Sequence, residues 1–247
     1  MIAVPRADQR PRWLWPLALV ASGMWTCFPR TAVAQEPVSF PTEDGGLIRG
    51  DLYGNGNRTV LLTHGGRFNK ESWAEQARII AAAGFRVLAI DFRGYGNSTG
   101  PGEANPMGAP LHLDVLAATH YLRQVGSETV SVVGGSMGGT AAANASIAAG
   151  PGVFDAVVML AGTTYDDATR LTGRKLFIMA AGDTTGSGAL RLPGFRQQYD
   201  RAPEPKRLMV LEGAAHAQYL FQTDQGTRLL QEIIRFLSTE RGGTALH

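Results

Sequence analysis

Short apolar runs recur along the chain at 38–40, 47–53, 59–63, 86–90, 129–133, 156–160, 176–180 and 208–211, lengths and compositions that predict strands. Between the later runs lie stretches with helical character at 71–83, 111–125, 137–149, 192–201 and 223–238. The first two strands are expected to pair through the Glu43-Asp44-Gly45-Gly46 turn. From there onward strand and helix alternate. Parallel neighbours need a crossover, and the crossover helices cover the sheet, so the pattern predicts an α/β fold. Its core is a mostly parallel, eight-stranded twisted sheet with helices on both faces. No internal repeat, low-complexity tract or composition break divides residues 35–247, which are read as one domain. In such a sheet, ligand chemistry belongs at the carboxyl ends of the strands.

One of those ends carries Val133-Gly134-Gly135-Ser136-Met137-Gly138-Gly139. A serine nucleophile set on a sharp strand-to-helix turn is held in a strained backbone conformation, so its neighbours must be small. Gly134 and Gly138 supply that clearance. The preceding Thr129-Val130-Ser131-Val132-Val133 favours a strand, and the following Thr140-Ala141-Ala142-Ala143-Asn144-Ala145 favours a helix. Ser136 is the candidate nucleophile; the alternative is a serine in a glycine-rich turn.

A serine hydroxyl needs a base within hydrogen-bond reach, oriented by a third group. Of the five histidines, His247 ends the chain, His112 and His120 fall on a helix, and His64 ends a strand, where a structural role is expected. His216 follows the strand at 208–211 within Glu212-Gly213-Ala214-Ala215-His216, and is the candidate base. Asp155, Asp166, Asp167, Asp183, Asp200, Glu204 and Glu212 all lie between serine and histidine in the chain. Asp183, just past the strand at 176–180, ranks first; Asp166 and Asp167, after the strand at 156–160, follow. Donors to a developing oxyanion are expected from the Met137 N–H and from the glycines of His64-Gly65-Gly66-Arg67, with Gly66 or Arg67 as the donor.

His64-Gly65-Gly66, the segment from Asp91 to Ser98, the serine turn, Gly182-Asp183 and Gly213 to His216 occur in one order over nearly all of residues 36–240, and there the chain resembles an α/β-hydrolase of the serine hydrolase type. The resemblance implies Ser136 as nucleophile, Asp183 as acid and His216 as base, with Met137 and Gly66 lining the oxyanion hole. It implies no metal or organic cofactor, and a structural role for the charges at 91–98. Only a short connection separates the sixth and seventh strands where many relatives insert a helical cap, so no large cap domain is expected. The compact core is similar to dienelactone hydrolases, but relatives with that activity use cysteine, so that substrate is not implied. The expected reaction is hydrolysis of a small-molecule carboxylic ester. A serine peptidase acting on short peptides, or a non-catalytic binding protein that keeps the fold, are the alternatives.

Residues 1–34 read as an export signal: Arg6, Arg10 and Arg12 form a basic start, residues 14–25 an apolar centre, and Ala32-Val33-Ala34 a small-residue cleavage site. The apolar run is short of the roughly 20 residues a spanning helix needs and is broken by Pro16. Neither a retained anchor nor stable membrane insertion is expected after cleavage, and the product is expected in a periplasm or outside the cell. Removing the signal changes the charge from +2 to just below zero, because the signal holds Arg6, Arg10, Arg12 and Arg30 against Asp8. The remainder has no basic stripe, so no nucleic-acid partner is expected. Cys27, the only cysteine, leaves with the signal, and stability must come from the core.

Overall fold

A computed structural model of the chain describes Met1 and residues 35–239. The expected export signal lies outside the described residues. Eight strands form one sheet: β1 (Gln35–Pro41), β2 (Leu47–Tyr53), β3 (Arg58–Thr63), β4 (Arg86–Asp91), β5 (Thr129–Gly135), β6 (Ala156–Leu160), β7 (Arg174–Ala180) and β8 (Lys206–Leu211). Their order across the sheet is β1-β2-β4-β3-β5-β6-β7-β8. β1 pairs antiparallel with β2, and β2 antiparallel with β4; every later pairing is parallel. Among the described residues, five α-helices accompany them: α1 (Ala74–Ala82), α2 (His112–Gln124), α3 (Met137–Ala149), α4 (Leu192–Arg201) and α5 (Gly226–Ser238).

Side chains alternate across a strand, and here the alternation divides the core in two. Leu61, Leu88, Val132, Met159 and Phe177 pack on one face with α2, α3 and α4 residues such as Val115, Ala142 and Phe195. Val60, Leu62, Val87, Val158 and Ile178 pack on the other with Ala77 and Ile80 of α1 and Leu229 and Ile233 of α5. Both faces are therefore apolar in the central strands, which accounts for their continuous hydrophobic runs. Between β6 and β7 the only regular structure is a 3-10 turn, Ala168–Arg170, so no helical cap is inserted there.

The register aligns the chemistry. Leu62 lies beside Val133 and Thr63 beside Gly134, so the chain leaving β3 runs next to the chain leaving β5. Gly135 pairs with Leu160, and Ala180 with Leu211, so β6, β7 and β8 end along the same edge. Among the described residues, no helix is long and apolar enough to cross a membrane.

Candidate active site

Ser136 sits between the end of β5 and the first turn of α3 with φ 50° and ψ −114°, a conformation that costs an alanine-like backbone about 1–3 kcal/mol. Its surroundings enforce that geometry. The Ser136 N–H donates to Leu160 O at 2.7 Å, and the Ser136 carbonyl accepts from Thr140 N–H at 3.0 Å. A Cβ on Gly138 would stand 2.3 Å from Thr63 O, and one on Gly134 would stand 2.3 Å from Gly138 O. The same holds for Gly162, which the sequence pattern did not single out: a Cβ there would lie 1.9 Å from the Ser136 carbonyl oxygen. The β6 edge thus presses directly on the serine backbone.

His216 reaches Ser136 from the loop after β8, with Nε2 2.8 Å from Ser136 Oγ. Its Nδ1 lies 2.7 Å from Asp183 Oδ2, in the loop after β7. A carboxylate only accepts, so Nδ1–H donates to Asp183 and Nε2 is left as an acceptor for the serine hydroxyl. Asp183 is buried, and its other oxygen, Oδ1, lies 3.6 Å from Arg191 Nε. Asp166 and Asp167 are both exposed; the Asp166 N–H donates to Thr164 Oγ1, and the Asp167 carboxylate pairs with Arg201 at 2.6 Å and takes bonds from Thr169. Of the three, the tertiary structure brings only Asp183 to the imidazole.

The loop after β3 is set by His64. This ring is buried, its Nε2 accepts the Phe92 N–H at 3.2 Å, and its Nδ1–H donates to Gly65 O at 2.9 Å. Burial lowers its pKa to about 4, so the ring stays neutral and keeps that donor at neutral pH. Gly65 O also accepts from Phe68 N–H at 2.9 Å. The Gly65–Gly66 peptide is trans, so pinning the carbonyl directs the Gly66 N–H to the opposite side. Tyr95 Oη ties Gly66 to the serine turn, donating to Gly66 O at 3.0 Å and lying 3.7 Å from Met137 Sδ. Neither the Gly66 N–H nor the Met137 N–H has a hydrogen-bond partner among the described residues. Met137 opens α3, where the unpaired amides and the helix dipole favour negative charge. The Gly66 and Met137 N–H groups are the two that the sequence pattern pointed to as donors for an oxyanion developing at an attacked carbonyl.

A second residue outside the motifs joins these loops. Gln218, two residues after His216 and only 3% exposed, accepts the Gly65 N–H on Oε1 at 2.7 Å. Its Nε2 donates to Ser72 Oγ at 2.6 Å, and Ser72 Oγ in turn donates to Asn69 O at 2.5 Å. The amide therefore holds the imidazole-bearing loop and the Gly66 loop as one unit. Misplacing groups by about 1 Å can cost up to about 10²-fold in rate. Gln218→Leu is expected to lower kcat by about 10- to 100-fold on an activated ester, with KM within about twofold. Gln218→Glu, which keeps the acceptor for Gly65, should recover part of it. Equal losses in both variants, or a change confined to KM, would argue against this positioning role.

A pocket of about 660 Å³ opens beside Ser136. Met107, Ala109, Tyr165, Thr185, Leu190 and Arg191 contribute to its walls. Thr140 and Asn144 of α3 and Phe195 and Gln198 of α4 add to them, although a helix face turned toward a cavity has no local signature in the sequence. Among the described residues, no group of three His, Cys, Asp or Glu side chains is placed to hold a metal ion.

Comparison with known proteins agrees with this architecture. Residues 58–241 match the alpha/beta hydrolase fold family. A putative protein-lysine deacylase, ABHD14B of Rattus norvegicus, is 30% identical over 182 residues, covering 70% of this chain and 82% of that protein. An epoxide hydrolase of Caballeronia sordidicola is 36% identical over 90 residues, a match that spans 36% of this chain and 26% of the epoxide hydrolase. The esterase Pf2001 of Pyrococcus furiosus superposes with a TM-score of 0.70 at 18% identity, over 85% of this chain and 94% of the esterase. A dienelactone hydrolase of Anabaena variabilis gives 0.67 at 21% identity, over 85% and 100% of the two chains. At these identities the solved structures speak to the fold alone. The sheet order, the serine turn between β5 and α3 and the extent of the family match lead to one conclusion: the chain belongs to the α/β hydrolase family.

Proposed function

We propose that this protein is a serine hydrolase that cleaves carboxylic esters by acyl transfer. The observation that carries the reading is the unbroken chain of hydrogen bonds from Ser136 Oγ to His216 Nε2 and from His216 Nδ1 to Asp183 Oδ2. His216 takes the Ser136 proton as Oγ attacks the carbonyl carbon, and the oxyanion is received by the Met137 and Gly66 N–H groups. Collapse expels the alcohol, which takes the proton from His216. Water then attacks the acyl-serine ester with His216 again as base, releasing the acid and restoring the hydroxyl.

Two features favour this reading over its rivals. Attack of a serine on an epoxide would leave an alkyl ether, which has no carbonyl for water to attack, whereas acylation leaves a hydrolysable ester. No Asp or Glu lines the pocket, so a substrate amine would find no counter-charge there, which counts against a peptidase that recognises a free amino group. Deacylation of an amide uses the same steps, and the name of the rat relative keeps it as the second reading.

A fluorophosphonate is expected to label the protein at one mole per mole, with the adduct on the peptide that contains Ser136. Absence of that adduct under conditions where a known serine esterase reacts fully would sink the proposal. Comparing activated esters with the matching lysine amides separates the two readings.

A further inference from the structure

The walls of the pocket beside Ser136 carry many neutral polar groups, including Thr140, Asn144 and Gln198, but only two basic side chains, His112 and Arg191, and no acidic one. Arg191 is held by its backbone and its first nitrogen. Its N–H donates to Asp183 O at 2.9 Å, Thr184 and Leu190 bridge across the base of the loop, and Nε donates to Thr184 O at 3.1 Å. The two terminal guanidinium nitrogens have no partner among the described residues, and the side chain keeps 39% of its surface exposed.

The simpler account is that Arg191 only balances Asp183. At 3.6 Å, however, the Nε–Oδ1 separation is beyond a hydrogen bond, and the forked end of the guanidinium is not used on that carboxylate. A planar fork with both terminal nitrogens free matches a carboxylate, which it can bind through two parallel N–H···O bonds. In a pocket without competing acids, such a group selects an anionic ligand.

The position relative to the triad says which part of the substrate this is. His216 must protonate the leaving alcohol, so that alcohol departs on the imidazole side, and His216 is not among the pocket walls. The acyl group therefore occupies the pocket. We propose that Arg191 receives a carboxylate on the acyl part of the substrate, so that the enzyme prefers half-esters of dicarboxylic acids to esters of plain alkanoic acids. This rests on the ester-hydrolase reading of the same site.

The test compares monoethyl succinate, glutarate and adipate with ethyl esters in which an isopropyl group replaces the distal carboxylate. The leaving group and chain length are then the same within each pair. At low ionic strength, kcat/KM for at least one half-ester should exceed its neutral partner by tenfold or more, and the ratio should fall as salt is added. Arg191→Gln should bring that ratio to one or below, while Arg191→Lys, which keeps the charge without the fork, should retain part of it. Taking the ratio within each variant removes any effect of the substitution on Asp183.

A wild-type ratio at or below one for all three lengths overturns the proposal, as does an unchanged ratio in Arg191→Gln. Should that variant not fold, the wild-type ratio and its salt dependence decide alone. If no ester of either class is cleaved in a Ser136-dependent manner, the ester-hydrolase reading has failed, an outcome distinct from cleavage without preference.

Discussion

Ser136→Ala is expected to lower kcat by about 10⁶-fold on any ester the protein cleaves, and Asp183→Asn by about 10⁴-fold. The first removes the atom that forms the acyl-enzyme. The second keeps the shape of the contact with His216 at 2.7 Å but substitutes an amide for the only group that accepts the Nδ1 proton. The imidazole is then free to turn to the other tautomer, in which Nε2 carries a proton and cannot take one from Ser136. Asp166→Asn should change kcat by less than about twofold, because Asp166 is exposed and apart from the imidazole. Thermal melting followed by circular dichroism should show all three variants folded. Activity of Ser136→Ala within tenfold of wild type, or a near-silent Asp183→Asn, would refute the assignment of these roles.

The largest loss of stability is expected from Arg93→Met. Arg93 is fully buried and gathers three segments: the β1–β2 turn, the turn after β4 and the start of α2. Its Nε and Nη2 donate to Asp114 Oδ1 at 2.9 and 2.6 Å, its Nη1 and Nη2 to the Asp44 carboxylate at 2.5 and 3.0 Å, and its Nη1 also to Pro101 O at 3.0 Å. The Arg93 bonds hold the Asp44 carboxyl down at about 2. Asp114 is pushed upward by burial, with the Arg93 bonds pulling against it. Methionine would fill much of the space but leave the Asp114 carboxylate buried against a single backbone N–H.

Removing one partner of a buried ion pair costs about 3–5 kcal/mol, a large share of the roughly 5–15 kcal/mol that stabilises a domain. The sign with pH follows. An unpaired buried Asp114 has a folded pKa above its unfolded one, so the variant loses stability as pH rises past the ordinary carboxylate range. Asp44 contributes to the wild type above that range and loses its contribution as pH falls toward 2. Both effects make the deficit larger at pH 7 than at pH 3. Urea unfolding should show this as a lowered midpoint with an unchanged slope; a deficit under 1 kcal/mol at pH 7 would show that Arg93 is not the tie it appears in the geometry.

Much of the fold was legible because burial writes itself into composition. Strands β3 to β7 are covered on both faces, and their apolar runs mark them to within two residues at most ends. The edge strands were less visible. β1 begins at Gln35 and β8 at Lys206, where the residues are mostly polar, exposed or half-buried, and carry no hydrophobic signal. The 3-10 turn Ala217–Gln222 was likewise unmarked, since it is held by contacts to the rest of the chain.

By itself the sequence determined the alternation of strand and helix, the serine turn with its required small neighbours, and the order in which serine, carboxylates and histidine reach the sheet edge. These are local matters of propensity, sterics and chain order. Only the tertiary structure decided that Asp183 and not Asp166 or Asp167 meets His216, that Gly162 leaves room for the strained Ser136 backbone, that Gln218 links two loops and that Arg191 faces the pocket. Those facts depend on register between strands distant in sequence, and a hydrogen bond selects its partner by position within about an ångström, which chain order alone does not encode.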